Sequence, residues 1–271
     1  MQGESLWLGP LRTPVRYAMI ASIVAAGGVA AWLIFGHFFS ADGIGMYEML
    51  RPEGRPGVKL MLGALFCALL FSSVYLSDEV GSIEPAPTGP FDYVSLVLSR
   101  LSMIGIALVV IVMFYEVVSR YVFDKPTLWA NELSLWIAGF VFLFAGLYAM
   151  QQRSHIRIFV IYDMMPRWGQ KLSDCISVAL IWGFTLCLVW GGFNEAVQKF
   201  GRMETFGTAW DPPLPATLKP GILIIISLVA LQALSNLIAD WNKAPEHHGP
   251  DEVDPEEIAQ IRKAVGADGS G

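Results

Sequence analysis

Glu116 and Arg120, and again Glu195 and Lys199, lie four residues apart at the ends of apolar runs. On a helix that spacing puts both side chains on one face, where they neutralise each other. A charge at membrane depth is costly unless it is paired or wet. Three roles fit such a pair: anchoring a helix end at the interface, docking a second membrane subunit, or, for Glu116, relaying a proton. A relay needs further carboxylates or imidazoles leading away from Glu116, and the sequence offers no such series. The adjoining stretch SRYVFDKPTLWANEL, residues 119–133, adds Trp129 and Glu132 to Arg120 in one short polar connection. Glu132 there has two compatible readings: a docking group, or a carboxylate in the first turn of the next helix, where its charge suits the helix dipole.

Other chemistries find less to work with. Haem or metal ligation within a membrane needs facing imidazoles, but His247 and His248 fall in the C-terminal tail, and His37 and His155 near the ends of apolar runs. Cys67, Cys175 and Cys187 lie inside apolar stretches without metal-ligand spacing, and read as packed or lipid-facing thiols rather than a disulfide framework. A glycine-rich phosphate cradle with a following lysine is missing. Ser/His/Asp and Cys/His sets have no evident meeting place. The chain is therefore read as a non-enzyme, with no catalytic, metal-ligating or substrate-binding residue assigned and no cofactor expected.

The elements that must position these residues are helices in lipid. Of 271 residues 54% are apolar and only 15% charged, well below the quarter usual in soluble domains, and nine Trp and sixteen Phe suit interfacial aromatic belts. About 20 apolar residues cross about 30 Å of hydrocarbon as a helix. Six segments qualify: 16–39, 57–76, 93–122, 131–151, 172–197 and 220–241, the third being long enough to tilt or project. The expected fold class is an all-α, polytopic membrane protein with about six transmembrane helices. The first segment reads as a retained helix rather than a cleaved signal, because it is too long and FFSADG does not have small residues at both of the positions a peptidase requires.

Composition divides the chain into residues 1–77 with two spans, a Pro/Gly-rich acidic linker at 78–91, a four-span domain at 92–243 and an acidic tail at 244–271. That tail carries Glu246, Asp251, Glu252, Asp254, Glu256 and Glu257, so the net charge of −6 says little about the body. It reads as disordered, with a short helix that Asp254 can cap. Basic stripes suited to nucleic acid are missing. Between the fourth and fifth spans, residues 151–171 carry Arg153, Arg157, Arg167 and Lys171 around an apolar core too short to span, which predicts an interfacial segment ending near Pro166 and Trp168. As the most basic short connection it is placed in the cytoplasm, with both termini. Residues 199–220 read as a compact interfacial loop with Phe200, Phe206 and Trp210, and Pro220 as the opening of the last helix.

Three stretches together, RYVFDKPTLWANEL (120–133), FLFAGLYAMQQRSHIRI (142–158) and MMPRW (164–168), resemble the small membrane subunit of TRAP (tripartite ATP-independent periplasmic) transporters, the DctQ-type family. An Arg-aromatic helix end is followed by a Trp three residues before Glu-Leu, a glycine-bearing helix, then a charged residue, His155 and a β-branched run closed by proline. The region 208–221, with Trp210 and several prolines, is similar to the family's final loop. The likeness covers roughly 92–241, and residues 1–91 depart from the usual four-span pattern.

The resemblance implies a bacterial inner-membrane protein paired with a large permease subunit that holds the substrate and sodium sites and moves as an elevator. The small subunit enlarges the fixed scaffold. A periplasmic solute-binding protein delivers an organic acid anion, and ion gradients, chiefly sodium, drive its uptake. Arg120, Trp129, Glu132 and Glu116 become candidates for the partner interface. Arg153, His155, Arg157, Trp168 and Trp210 become candidates for membrane anchoring. Two other classes remain open: an autonomous small transporter or channel, which would move solute when reconstituted alone, and a membrane redox subunit, which would show haem or flavin absorbance.

Overall fold

The computed structural model describes residues 5–39, 44–50, 55–79, 84, 87, 89–153, 162 and 165–242. After a 3₁₀ turn at Gly9–Leu11, the described residues form seven helices: α1 (Arg12–Phe39), α2 (Met46–Met49), α3 (Pro56–Leu76), α4 (Pro90–Tyr121), α5 (Ala130–Gln151), α6 (Arg167–Gly201) and α7 (Leu214–Asp240). All but the four-residue α2 are long and apolar enough to cross a membrane, and strands are absent among the described residues, so the fold is all-α. His155, Arg157, most of the expected interfacial segment and the whole acidic tail lie outside the described residues.

Local sequence sets the helix ends. Pro56 and Pro90 open α3 and α4, where a missing N–H costs nothing, and the Gly89 N–H donates to Asp92 Oδ2 at 3.0 Å. At the far end of α6 the chain turns on Met203 at φ +47. The Met203 N–H bonds Phe200 O at 3.0 Å and the Glu204 N–H bonds Lys199 O at 3.0 Å, satisfying two orphan carbonyls.

Two sequence expectations need correction. The fifth spanning helix begins at Arg167 rather than 172 and ends at Gly201 rather than 197. At 1.5 Å per residue its 35 residues run about 52 Å, so polar turns project beyond the hydrocarbon at both ends, where hydropathy gives no signal. Trp168, expected to close an interfacial segment, is therefore in the first turn of α6. The last helix begins at Leu214, just after Pro213 and with Pro215 in its first turn, and Pro220 lies inside it. Pro220 removes one backbone bond, that to the Ala216 carbonyl, while the Thr217 hydroxyl donates to Pro213 O at 2.8 Å near the same turn.

Helices α1 and α3, α4 and α5, and α6 and α7 pair as antiparallel hairpins; α4 also touches α3, and α5 also packs on α7, so the neighbours run α1, α3, α4, α5, α7, α6. Close approach needs glycine at one crossing: a Cβ on Gly139 of α5 would lie 2.8 Å from Leu218 Cδ1 of α7.

Polar groups tie the hairpins together at the end of the molecule that holds residues 5 and 242. Buried Gln232 of α7 donates to Asp92 Oδ1 at 2.5 Å and accepts from Ser95 at 3.1 Å. Asp78 accepts from the Ser5 hydroxyl at 3.0 Å and from the Trp7 and Leu8 N–H groups at 2.9 Å each. Burial pushes the Asp78 carboxyl up. The donors on Leu8, Trp7 and Ser5, with the Arg12 guanidinium, outweigh that and hold it below the usual carboxylate range. Arg100, only 8% exposed on α4, makes a two-pronged pair with Glu84 at 2.6 and 3.1 Å and donates to Glu79 O at 2.9 Å. Glu84 also accepts the Tyr148 hydroxyl of α5.

Candidate functional site

The opposite end gathers the turn after α4, the start of α5, the connection between α6 and α7, and the short α2. At its centre Glu116, 3% exposed one turn before the end of α4, has both oxygens occupied. Arg120 donates to Oε1 from Nε at 2.9 Å and from Nη2 at 2.5 Å. The Thr127 N–H reaches Oε2 at 3.0 Å, and the Thr127 hydroxyl bonds the same oxygen. The sequence pairs Glu116 with Arg120 by spacing; Thr127, eleven residues on, becomes visible only because the chain reverses through Asp124 at φ +54.

Glu132 in the first turn of α5 does the same for a different loop. Its carboxylate accepts from the Thr208 hydroxyl at 2.6 Å, from the Trp210 N–H at 3.2 Å and from the Asp211 N–H at 3.1 Å. Charge-assisted acceptance of backbone N–H groups is roughly twice as strong as the neutral kind, so one side chain holds residues 208–211 of the 202–213 connection over α5. Trp210 is the keystone of that loop at 3% exposure: its indole N–H donates to Met46 O at 2.9 Å and its ring meets Trp136 edge-on at 6.5 Å. The Trp136 N–H in turn donates to the Thr217 hydroxyl at 2.8 Å. Trp210, read from sequence as a membrane anchor, is thus placed inside the chain, where it ties α2 to α5 and α7.

Trp129 stacks on Tyr115 at 5.7 Å, half-buried beside the exposed run Tyr121, Val122 and Phe123. The second charged pair expands into a cluster: Lys199 lies 3.6 Å from Glu195 and 2.7 Å from Glu204, and Lys219 of α7 lies 2.9 Å from Glu195. The remaining anchoring candidates separate. Trp168 is exposed at the other end, whereas the Arg153 guanidinium is bidentate on Asp240 at 2.6 and 3.0 Å and closes α5 at φ +55.

Sequence reasoning missed Arg100, Glu84 and Tyr148, although an arginine within an apolar run is itself a signal. The three thiols are free, Cys187 exposed. Among the described residues no group of three or more His, Cys, Asp or Glu is placed to hold a metal. What the assembled end can do is mechanical: it locks two loops and the ends of α4, α5, α6 and α7 into one unit, leaving aromatic and apolar side chains on its outer face.

Residues 109–243 match the family model described as tripartite ATP-independent periplasmic transporters, DctQ component. The chain is also similar to the C4-dicarboxylate TRAP transporter small permease protein DctQ of Vibrio cholerae serotype O1, 26% identical over 106 residues, which is 39% of this chain and 45% of that protein. The likeness thus spans less than half the length of the curated relative. No solved structure matches. The matched region takes in the Glu116 and Glu132 clusters and all of α5, α6 and α7, and on that basis the chain belongs to the DctQ-type small-subunit family of TRAP transporters, with α1 and α3 added ahead of the match.

Proposed function

We propose that the chain is the scaffold subunit of a TRAP-type secondary transporter, held against a large permease subunit that carries substrate and coupling ions. The observation that carries this reading is the DctQ match over 109–243. The chemistry of the matched region supports it. Glu116 and Glu132 are spent on the chain's own loops, which suits a rigid brace better than a transport path. In this proposal the two carboxylates position the loops, and the exposed edge of Arg120, the ring of Trp129 and the neighbouring apolar tip meet the permease. Trp168 holds the opposite end at the membrane surface. Transport rather than catalysis is the role, in the bacterial inner membrane with both termini cytoplasmic.

An organic acid anion is the proposed cargo, consistent with the C4-dicarboxylate named for the Vibrio cholerae relative. A periplasmic binding protein delivers it and a sodium gradient drives it. Purification of the tagged chain in mild detergent tests the pairing: a many-span permease copurifies in near-equal amount. Recovery of the chain alone from membranes that contain such a permease would contradict the proposal.

A further inference from the structure

We propose that the added hairpin of α1 and α3 keeps the loop around Trp210 closed, with α2 as the strap between them. Trp210 belongs to the family-matched region and is 3% exposed, so its indole N–H is costly to leave unmet. The acceptor of that N–H, Met46 O at 2.9 Å, belongs to the residues ahead of the match. A second bond joins the neighbouring pair: the Tyr47 hydroxyl donates to Ala209 O at 3.2 Å. Two consecutive residues of α2 thus hold two consecutive residues of the loop.

A helix of four residues does not hold its own position, so α2 takes its place from the hairpin. The Gly45 N–H donates to Glu48 Oε2 at 2.8 Å and closes the turn that opens α2. Ile44, just before it, supplies the seat. A Cβ on Gly57, in the first turn of α3, would lie 3.3 Å from Ile44 Cδ1, 3.3 Å from Trp32 Cζ3 and 3.4 Å from Leu33 Cδ2. Glycine there lets Ile44 settle against the start of α3, in a corner that Trp32 and Leu33 of α1 complete. A continuous path therefore runs from α1 and α3 through Ile44 to α2, and from Met46 and Tyr47 to the loop.

The hairpin is itself fixed to the other helices. At the opposite end of the molecule the Trp7 and Tyr93 rings lie 5.3 Å apart and Arg100 of α4 donates to Glu79 O at 2.9 Å, while between the two ends α3 packs on α4. With those contacts made, the loop closes onto an acceptor already in place. Glu132 grips residues 208–211 from α5, and α2 grips 209 and 210 from the hairpin. Opening the loop breaks both grips, so loosening either one loosens the other.

Amide hydrogen exchange of the full-length chain in detergent tests the strap and needs no permease. Ile44→Ala empties the seat at Gly57 and leaves both hydrogen-bonding groups of α2 in place. Peptides covering 203–213 are expected to exchange about fivefold faster, the equivalent of one neutral hydrogen bond. Peptides from the centre of α6, residues 175–190, keep the wild-type rate. In reverse, Glu132→Ala, acting from α5, speeds exchange of peptides covering 44–50. Glu48→Ala, which removes the acceptor that closes the α2 turn, repeats the first result should Ile44→Ala lose the wild-type helical circular dichroism. Unchanged exchange of 203–213 in a folded variant of the α2 seat, or unchanged exchange of 44–50 in Glu132→Ala while the loop itself exchanges faster, overturns the proposal.

Discussion

Replacing Glu132 with alanine removes the acceptor shared by three donors of the 202–213 connection. The Thr208 hydroxyl is exposed and finds water, so the loss is concentrated in the Trp210 and Asp211 N–H groups. Trp210 is almost fully buried, and its amide has no water to turn to while the loop stays closed. Hydrogen bonds to a charged acceptor contribute about 1.5 kcal/mol or more each. Two of them lower the free energy of loop opening by about 3 kcal/mol, which is roughly a hundredfold in the open population. Amide hydrogen exchange of the detergent-solubilised chain reads that population directly, and peptides covering 203–213 exchange about a hundred times faster in Glu132→Ala. Glu132→Gln retains one carbonyl acceptor without its charge and falls between, at about tenfold. Exchange of these peptides within twofold of wild type in Glu132→Ala would refute the assignment of Glu132 as the group that holds this loop.

Two further outcomes follow from the opposite end. Arg100→Met leaves the half-buried Glu84 carboxylate with the Tyr148 hydroxyl but without its two-pronged cation, and costs about 1.5–3 kcal/mol. The double variant Arg100→Met/Glu84→Gln regains most of that, as thermal unfolding in micelles will show; equal losses in both would mean that the pair carries no coupling. Asp78 has a lowered pKa in the folded chain, so the stability it contributes is present above the ordinary carboxylate value near 3.9 and is lost as pH falls through the lower folded value. Protection of the Trp7 and Leu8 amides is accordingly constant from pH 7 to 5. Asp78→Asn weakens it throughout that range, and a titration of protection with a midpoint near pH 6 would contradict the placement.

Apolar run length made the six spanning helices legible, since lipid enforces a backbone that satisfies its own hydrogen bonds. It could not report where α6 stops, because residues 167–171 and 198–201 leave the hydrocarbon while keeping helical bonds. Pro220 misled for a related reason: proline marks a helix start in water, yet α7 absorbs it seven positions in. At the candidate site the i,i+4 pair Glu116–Arg120 was readable from spacing alone. Thr127 on Glu116, the Glu132 contacts with 208–211 and the Trp210 bond to Met46 join residues 11 to 164 apart in sequence. No local pattern encodes such contacts: the first exists because the chain reverses through Asp124, and the others because neighbouring hairpins bring loops to one end.

The central claim, that this chain braces a transporter without carrying cargo itself, is tested most directly by reconstitution. Proteoliposomes containing the chain, a cognate large permease and its binding protein, under an inward sodium gradient, are predicted to accumulate a labelled C4-dicarboxylate or related organic anion. Vesicles lacking either membrane subunit are predicted to accumulate none. Uptake by the chain alone, or undiminished uptake by the permease without it, would contradict the account.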